Sequence, residues 1–139
     1  MAEKLYLSFD DIKTQIQFFA DQCEPEQYDL IIGIARGGVV PAVMLSHAMK
    51  TPVDFVMWQT RDGATKDYEK LMQLTSSFER VLIVDDMNDS GTTINSIKQA
   101  LNNPKVDFFT VTQYNRTEHP IANYGIETHG EWVVFPWEL

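Results

Sequence analysis

Two carboxylates, Asp85 and Asp86, stand side by side; after two spacers comes a third, Asp89, and Ser90-Gly91-Thr92-Thr93 runs straight on from it. Carboxylate oxygens accept hydrogen bonds from vicinal hydroxyls, and beside them a hard divalent cation held by oxygen is favoured. An isolated Asp-Asp pair is as readily two turn carboxylates, but here a turn suited to an anion follows at once. The backbone N–H groups of 89–93, the hydroxyls of Ser90, Thr92 and Thr93, and the positive end of a following helix can hold a phosphate without a lysine. The Gly-x-x-x-x-Gly-Lys nucleotide loop is absent. The chemistry that fits is capture of a phosphorylated sugar. Successive side chains diverge on a strand, so Asp85 and Asp86 take different tasks.

Other segments could add to this. Ala35-Arg36-Gly37-Gly38 follows an apolar run and precedes a helical one. Such a turn presents N–H groups to an anion, and paired glycines allow close backbone approach; a plain tight turn is the other reading. Residues 59–70 carry Arg61, Lys66 and Lys70 with almost no apolar side chains. They read either as a loop that covers a substrate or as a solvated hairpin. The corner Tyr114-Asn115-Arg116 is polar, and the tail 131–139 is unusually aromatic. Termini fray unless tied down, so this tail is packed, and its rings can form a slot for a planar ligand. His47, inside an apolar helix, reads as a satisfied core or interface histidine.

The elements that must position these residues follow from periodicity. Ser8 caps an amphipathic helix over 8–20, with Asp10 and Asp11 at its positive end and Ile12, Ile16 and Phe19 on one face. Strands are expected over 28–34, 52–58, 81–84 and 106–113, with a short one within 121–128. Helices are expected over 39–49, with Pro41 in its first turn, and over 94–101, capped by the hydroxyl turn and stopped by Asn102-Asn103-Pro104. Strands alternating with helices predict an α/β fold, a mainly parallel sheet flanked by helices. Ligands bind such sheets beyond the carboxyl ends of the strands. That rule gathers Ala35–Gly38, the loop after Trp58, Asp85–Thr93 and Tyr114–Arg116 on one rim.

Composition sets the outer bounds. The 139 residues suit one domain spanning 1–139. A hydrophobic fraction of 44% is that of a globular chain, and a net charge of −9 argues against a nucleic-acid surface. No apolar run reaches the roughly 18 residues of a membrane span, and the start Met1-Ala2-Glu3-Lys4 lacks the pattern of a signal peptide. Cys23 is the single cysteine, so no intrachain disulfide forms and a reducing, cytoplasmic setting fits. Apolar residues at the tail suggest a homo-oligomer.

The motifs carry a specific resemblance. Val81-Leu82-Ile83-Val84-Asp85-Asp86, two spacers and Asp89-Ser90-Gly91-Thr92-Thr93 resemble the 5-phosphoribosyl-1-pyrophosphate (PRPP) signature of the type I phosphoribosyltransferase family. Ala35-Arg36-Gly37-Gly38 is similar to that family's pyrophosphate loop. Trp132-Val133-Val134-Phe135-Pro136-Trp137-Glu138 is similar to the ending of the short xanthine–guanine and hypoxanthine members. The resemblance spans roughly residue 28 to the end.

It implies a Rossmann-like phosphoribosyltransferase fold with a small C-terminal hood, and transfer of the phosphoribosyl group from PRPP to a purine-like base in nucleotide salvage. Asp85 and Asp86 would hold the ribose hydroxyls, with Asp86 the better ligand for Mg²⁺. Asp89 would act as general acid/base near N7 of the base, and Ser90, Gly91, Thr92 and Thr93 would hold the 5′-phosphate. Ala35, Arg36 and Gly37 would meet pyrophosphate, with a strained cis peptide between Arg36 and Gly37. Trp132 would stack on the base, the Val133 backbone would read its edge, and Arg61 or Lys66 would reach pyrophosphate from a closing loop. One departure stands out: purine-salvage relatives carry a lysine where this chain has Tyr114, and neither Tyr114 nor Asn115 supplies a cation for a 6-oxo group, which leaves Arg116 to supply one if the corner bends inward. The runner-up is a non-catalytic or regulatory PRPP- or nucleotide-binding protein on the same fold.

Overall fold

A computed structural model describes residues 3–59, 65–103 and 105–138. Its centre is the run Val81–Val84, buried on both faces as a parallel strand between two helical layers must be. Five strands form one sheet in the order β3-β2-β4-β5-β6: β2 Leu30–Ala35, β3 Val53–Met57, β4 Val81–Asn88, β5 Val106–Tyr114 and β6 Asn123–Thr128. Every pairing among them is parallel.

Alternation along each strand divides the core in two. Ile31, Leu82, Val84, Phe109 and Val111 face one layer, where Ile12, Ile16 and Phe19 of α1 (Phe9–Gln22) and Ala42 and Leu45 of α2 (Val39–Met49) meet them. Leu30, Ile32, Ile34, Val81, Ile83 and Phe108 face the other, covered by Leu71 of α3 (Tyr68–Ser77) and by Ile94 and Ile97 of α4 (Thr92–Leu101). Ser8 caps α1 through a capping box with Asp11, with Ser8 N–H donating to Asp11 Oδ2 at 2.8 Å and Asp11 N–H to Ser8 Oγ at 3.1 Å. His47 is exposed on α2 rather than in the core: α2 buries Pro41, Ala42 and Leu45, and position 47 faces away from them.

Sheet order fixes where a ligand can sit. From β2 the chain first moves outward to β3, then returns to lay β4 on the opposite side of β2. The winding direction therefore reverses between β2 and β4, and the carboxyl ends of these two strands open a crevice. Their following loops are 36–38 and 89–91.

A second, two-stranded parallel sheet closes the fold over this rim. β1 (Lys4–Tyr6) pairs with β7 (Trp132–Val134), with Leu5 opposite Val133. Trp132 N–H donates to Glu3 O at 2.7 Å and Leu7 N–H to Val134 O at 3.0 Å. The aromatic tail is thus tied to the start of the chain. A 3₁₀ turn, Pro136–Glu138, follows, and the Phe135 and Trp137 rings stack at 4.8 Å between centroids. The expected hood is present, but half of it is N-terminal: Lys4-Leu5-Tyr6 is too short for alternation to betray, and it becomes a strand only because β7 offers an edge.

Candidate functional site

Strand β4 continues to Asn88, past the expected stop at Val84, because Asp85 pairs with Thr110, Met87 with Thr112 and Asn88 with Gln113 of β5. Asp85 and Asp86 are thus the last-but-two pair of a strand, held rigidly, rather than residues of a turn. Asp86 N–H donates to Asp85 Oδ1 at 2.8 Å. Both carboxyls keep some surface open to the crevice yet are walled in by protein on most sides. Burial, and then the neighbouring negative charge of Asp86, hold the Asp85 carboxyl well above its ordinary range. Burial raises Asp86 as well, opposed by hydrogen bonds from Asp85 and from backbone N–H groups.

The glycine turn after β2 abuts this pair. A Cβ on Gly37 would lie 2.8 Å from Asp86 Oδ1 and overlap Asp86 Oδ2. A Cβ on Gly38 would strike Val84 O and lie 2.7 Å from Ile34 O. The glycines thus let the 36–38 turn lie against β4, beyond any close approach to a ligand. The cis peptide of this turn joins Ala35 to Arg36, one bond earlier than the resemblance implied. Gly38 N–H returns to Ile34 O at 2.8 Å, so the turn begins within β2 itself.

Three clefts meet here. One of about 880 Å³ is lined by Ala35, Arg36, Gly37, Asp85, Asp86 and Thr93, with Trp58, Gln59, Trp137 and Glu138. A second, of about 510 Å³, is lined by Asp86, Met87, Asp89, Tyr114, Thr128, Glu131, Trp132, Val133 and Glu138. Asp86 and Glu138 belong to both. In the second cleft Trp132 is exposed while Val133 is buried, so the indole is free to lie against a ligand. A third cleft, of about 640 Å³, takes Asp89, Ser90 and Thr92 together with Tyr114, Arg116 and His119. Gly91 is buried beneath them at φ +86°, where a Cβ would lie 2.6 Å from that of His119.

The expected site residues are therefore drawn together, with some corrections. Helix α4 begins at Thr92, two residues early, with Gly91 rather than a hydroxyl residue at its cap; no side chain of the cap position covers its first N–H groups. The 59–70 segment ends at Asp67, because Tyr68–Lys70 is already the first turn of α3. The near ends of that segment pair as a hairpin, Trp58 with Lys66 in antiparallel sense, and Gln59 N–H donates to Thr65 O at 2.9 Å. The Lys66 ammonium lies over the Trp58 ring, 5.6 Å from its centroid. Arg61 lies outside the described residues. Lys70 pairs with Asp54 at 3.0 Å. Met87 and Thr128 were not singled out from sequence, whereas Trp137 and Glu138 entered only as part of the aromatic tail. Met87 alternates with Asp86 along β4, and that period-2 pattern could have found it.

Among the described residues, no group of three or more His, Cys, Asp or Glu side chains is placed to hold a metal. Among the described residues neither Asp85 nor Asp86 forms an ion pair, and two such carboxylates suit a cation whose remaining ligands come from a substrate and water, as Mg²⁺ commonly takes them. No described helix is long and apolar enough to cross a membrane.

A doubly wound parallel sheet with carboxylates, an anion turn and an aromatic hood at its switch point defines a transferase of activated sugar phosphates. The chain belongs to the phosphoribosyl transferase family, whose domain matches residues 4–139, and is a phosphoribosyltransferase of the type I fold. It is 28% identical to a xanthine-guanine phosphoribosyltransferase of Idiomarina loihiensis over 98% of this chain and 88% of that protein. It superposes on the purine phosphoribosyltransferase of Pyrococcus horikoshii Ot3 with a TM-score of 0.78 and 26% identity, covering 99% of this chain and 95% of the other. A Neisseria gonorrhoeae protein with bound ppGpp shares the fold, with a TM-score of 0.79 and 22% identity over 100% and 91% of the two chains. Family membership favours an enzyme over the non-catalytic alternative.

Proposed function

We propose that this chain transfers the 5-phosphoribosyl group of PRPP to a ring nitrogen of a purine-like base and releases pyrophosphate. The observation that carries this reading is the meeting of two clefts at Asp86, one walled by the Arg36–Gly37 turn and the other by Trp132, Val133 and Asp89. A two-substrate displacement needs such a junction: the leaving group on one side, the acceptor on the other and the sugar between them. The names of the xanthine-guanine and purine relatives support a purine.

In this reading Arg36 and the 35–37 backbone bind pyrophosphate, Asp85 and Asp86 accept from the ribose hydroxyls, and Ser90, Gly91, Thr92 and Thr93 hold the 5′-phosphate. Thr92 N–H at the start of α4 donates to Ser90 Oγ at 3.3 Å, and the N–H groups that follow it, with no side chain at the Gly91 cap, suit that phosphate. Trp132 stacks on the base, and Tyr114 and the Val133 backbone address its edge. As the C1–oxygen bond to pyrophosphate breaks and the C1–nitrogen bond forms, the base must lose a proton, and Asp89 in the base cleft takes it. The ribosyl centre is cation-like at that point, and the Asp85–Asp86 carboxylates favour it electrostatically. Mg²⁺, held by Asp86 with Asp85 beside it, would offset the charge of pyrophosphate when bound. Nucleotide salvage in a cytoplasmic setting, and assembly of like chains through apolar side chains such as the exposed Tyr6 of the small sheet, complete the proposal.

Pyrophosphate release should be measured with Mg²⁺, PRPP and a panel of purine and pyrimidine bases. Release with one or more purines is expected. No release with any base, in a sample that still binds PRPP calorimetrically, would sink the proposal in favour of a PRPP-binding protein.

A further inference from the structure

Beneath the base cleft lies a buried amide pair that the reaction itself does not use. Asn88 and Gln113 face each other at the last paired level of β4 and β5, and their residues are 2% and 6% exposed. Asn88 Nδ2 donates to Gln113 Oε1 at 3.0 Å and to the carbonyl of His119 at 2.9 Å. Gln113 Oε1 also accepts from Ile121 N–H at 2.9 Å.

The orientation of both amides follows from these partners. Ile121 N–H can only donate, so Gln113 must turn its oxygen toward it. The His119 carbonyl can only accept, so Asn88 must turn its NH₂ toward it. The arrangement is maintained although it leaves Asn88 Oδ1 buried without a partner. A leucine pair would remove the unpartnered Oδ1 but orphan the Ile121 N–H and the His119 carbonyl, so the network is what fastens the 115–121 corner to the ends of β4 and β5.

Its place in the chain names the task. Asn88 immediately precedes Asp89, and Gln113 immediately precedes Tyr114. Both Asp89 and Tyr114 line the base cleft. His119, gripped through its carbonyl, lies against Gly91 in the turn that opens α4. One side chain thus ties together the end of β4, the end of β5 and the returning corner 115–121, all without touching the clefts.

We infer that Asn88 is a positioning residue: through Gln113 and His119 it sets Asp89 in register with Tyr114 across the base, and so governs the transfer step rather than the binding of PRPP. This rests on the proposed reading of Asp89 and Tyr114 as the groups that meet the base. Asn88→Leu removes the two donors at nearly constant volume, and Gln113→Leu removes the shared acceptor. Gln113→Glu keeps an oxygen that can accept both bonds.

The test combines steady-state kinetics for the base, calorimetric PRPP binding with Mg²⁺, and thermal melting. For Asn88→Leu and Gln113→Leu we expect kcat/KM for the base to fall by about tenfold or more, the order that a sub-ångström to 1 Å misplacement produces. PRPP affinity is expected to fall by a clearly smaller factor, because of the residues proposed to meet PRPP only Gly91 is reached by the network, through His119. Gln113→Glu should recover the larger part of the loss. An equal fall in PRPP binding and base kcat/KM, or a lowered melting temperature with base kcat/KM unchanged, overturns the inference. So does Gln113→Glu behaving like Gln113→Leu. If Asn88→Leu does not fold, the two Gln113 variants decide alone. Parent protein that turns over no base refutes the functional reading instead, whereas an active parent with insensitive variants refutes only the clamp.

Discussion

Substituting Gly37 by alanine isolates the contact on which the two-cleft arrangement depends. Its φ lies outside the left-handed region, so alanine brings no backbone strain and the whole effect is steric. The added Cβ lies 2.8 Å from Asp86 Oδ1 and closer still to Oδ2, where ordinary contact begins at 3.4 Å. The nearer Oδ2 sets the demand, and the Cβ or the carboxyl must therefore move by about 1 Å. Asp86 sits within a paired strand, with its carboxyl walled in, and Gly38 is pressed against Val84 and Ile34, so neither side yields freely. Overpacking of this kind costs about 1–3 kcal/mol of stability. A misplacement approaching 1 Å at a reacting centre costs on the order of 10²-fold in rate. Gly37→Ala should therefore remain folded, melt several degrees lower and lose about 10²-fold in Mg²⁺-dependent PRPP binding or pyrophosphate release. Calorimetry with PRPP with and without Mg²⁺ is the direct assay. Near-parental Mg·PRPP affinity in the folded variant would refute the claim that Gly37 and Asp86 form one substrate subsite.

Four further outcomes can be checked. Trp132→Ala should raise KM for the base by about 5- to 100-fold, the worth of one stacking face, while melting changes little because Trp132 is 67% exposed; unchanged KM would remove Trp132 from the base site. Asp89→Asn should lower kcat by about 10²–10⁴-fold with PRPP binding retained, as loss of a general base does; equal loss of both would contradict the role. Asp85→Asn keeps the oxygen that accepts from Asp86 N–H but removes the buried charge. Because the folded carboxyl of Asp85 is held above its unfolded value, the folded state binds more protons, and the parent loses stability as pH rises from about 4 through the folded value. The ligand-free variant should melt above the parent at pH 7–8 and converge with it in acid, and a variant that melts lower throughout would count against this. Tyr28→Phe deletes a 2.7 Å hydrogen bond from Tyr28 Oη to Asp107 Oδ2 and should cost about 1 kcal/mol. Burial, then that bond, raises the Tyr28 phenol, so the stabilisation persists up to the ordinary phenol value near 10 and declines above it. Urea melts at pH 7 and pH 11 should show the gap between parent and variant narrowing at the higher pH.

Much of the site was legible because it is local. The hydroxyls and N–H groups proposed to hold a phosphate come from consecutive residues, so 89–93 stands out in the sequence. The same holds for Ala35–Gly38, and the helix over 39–49 was read to the residue because its apolar run starts after a glycine pair and ends before Thr51-Pro52. What failed was of another kind. β4 was expected to stop at Val84 because carboxylates are poor strand residues, yet pairing with Thr110, Thr112 and Gln113 carries it on to Asn88. Of the two readings of His47, core or interface, the structure removes the core one, because only packing selects which side of an apolar helix meets the sheet.

By itself the chain determined the alternation of strands and helices, the Ser/Gly/Thr turn at a helix start and the acidic pair, since each is written in the period and type of neighbouring residues. Only the tertiary structure decided that Gly37 lies against Asp86, that Lys4–Tyr6 forms a strand with the aromatic tail, and that Asn88 reaches Gln113 and His119. Those contacts join residues 25 to 128 positions apart. Their partners are selected by sheet order and register, which no local pattern encodes.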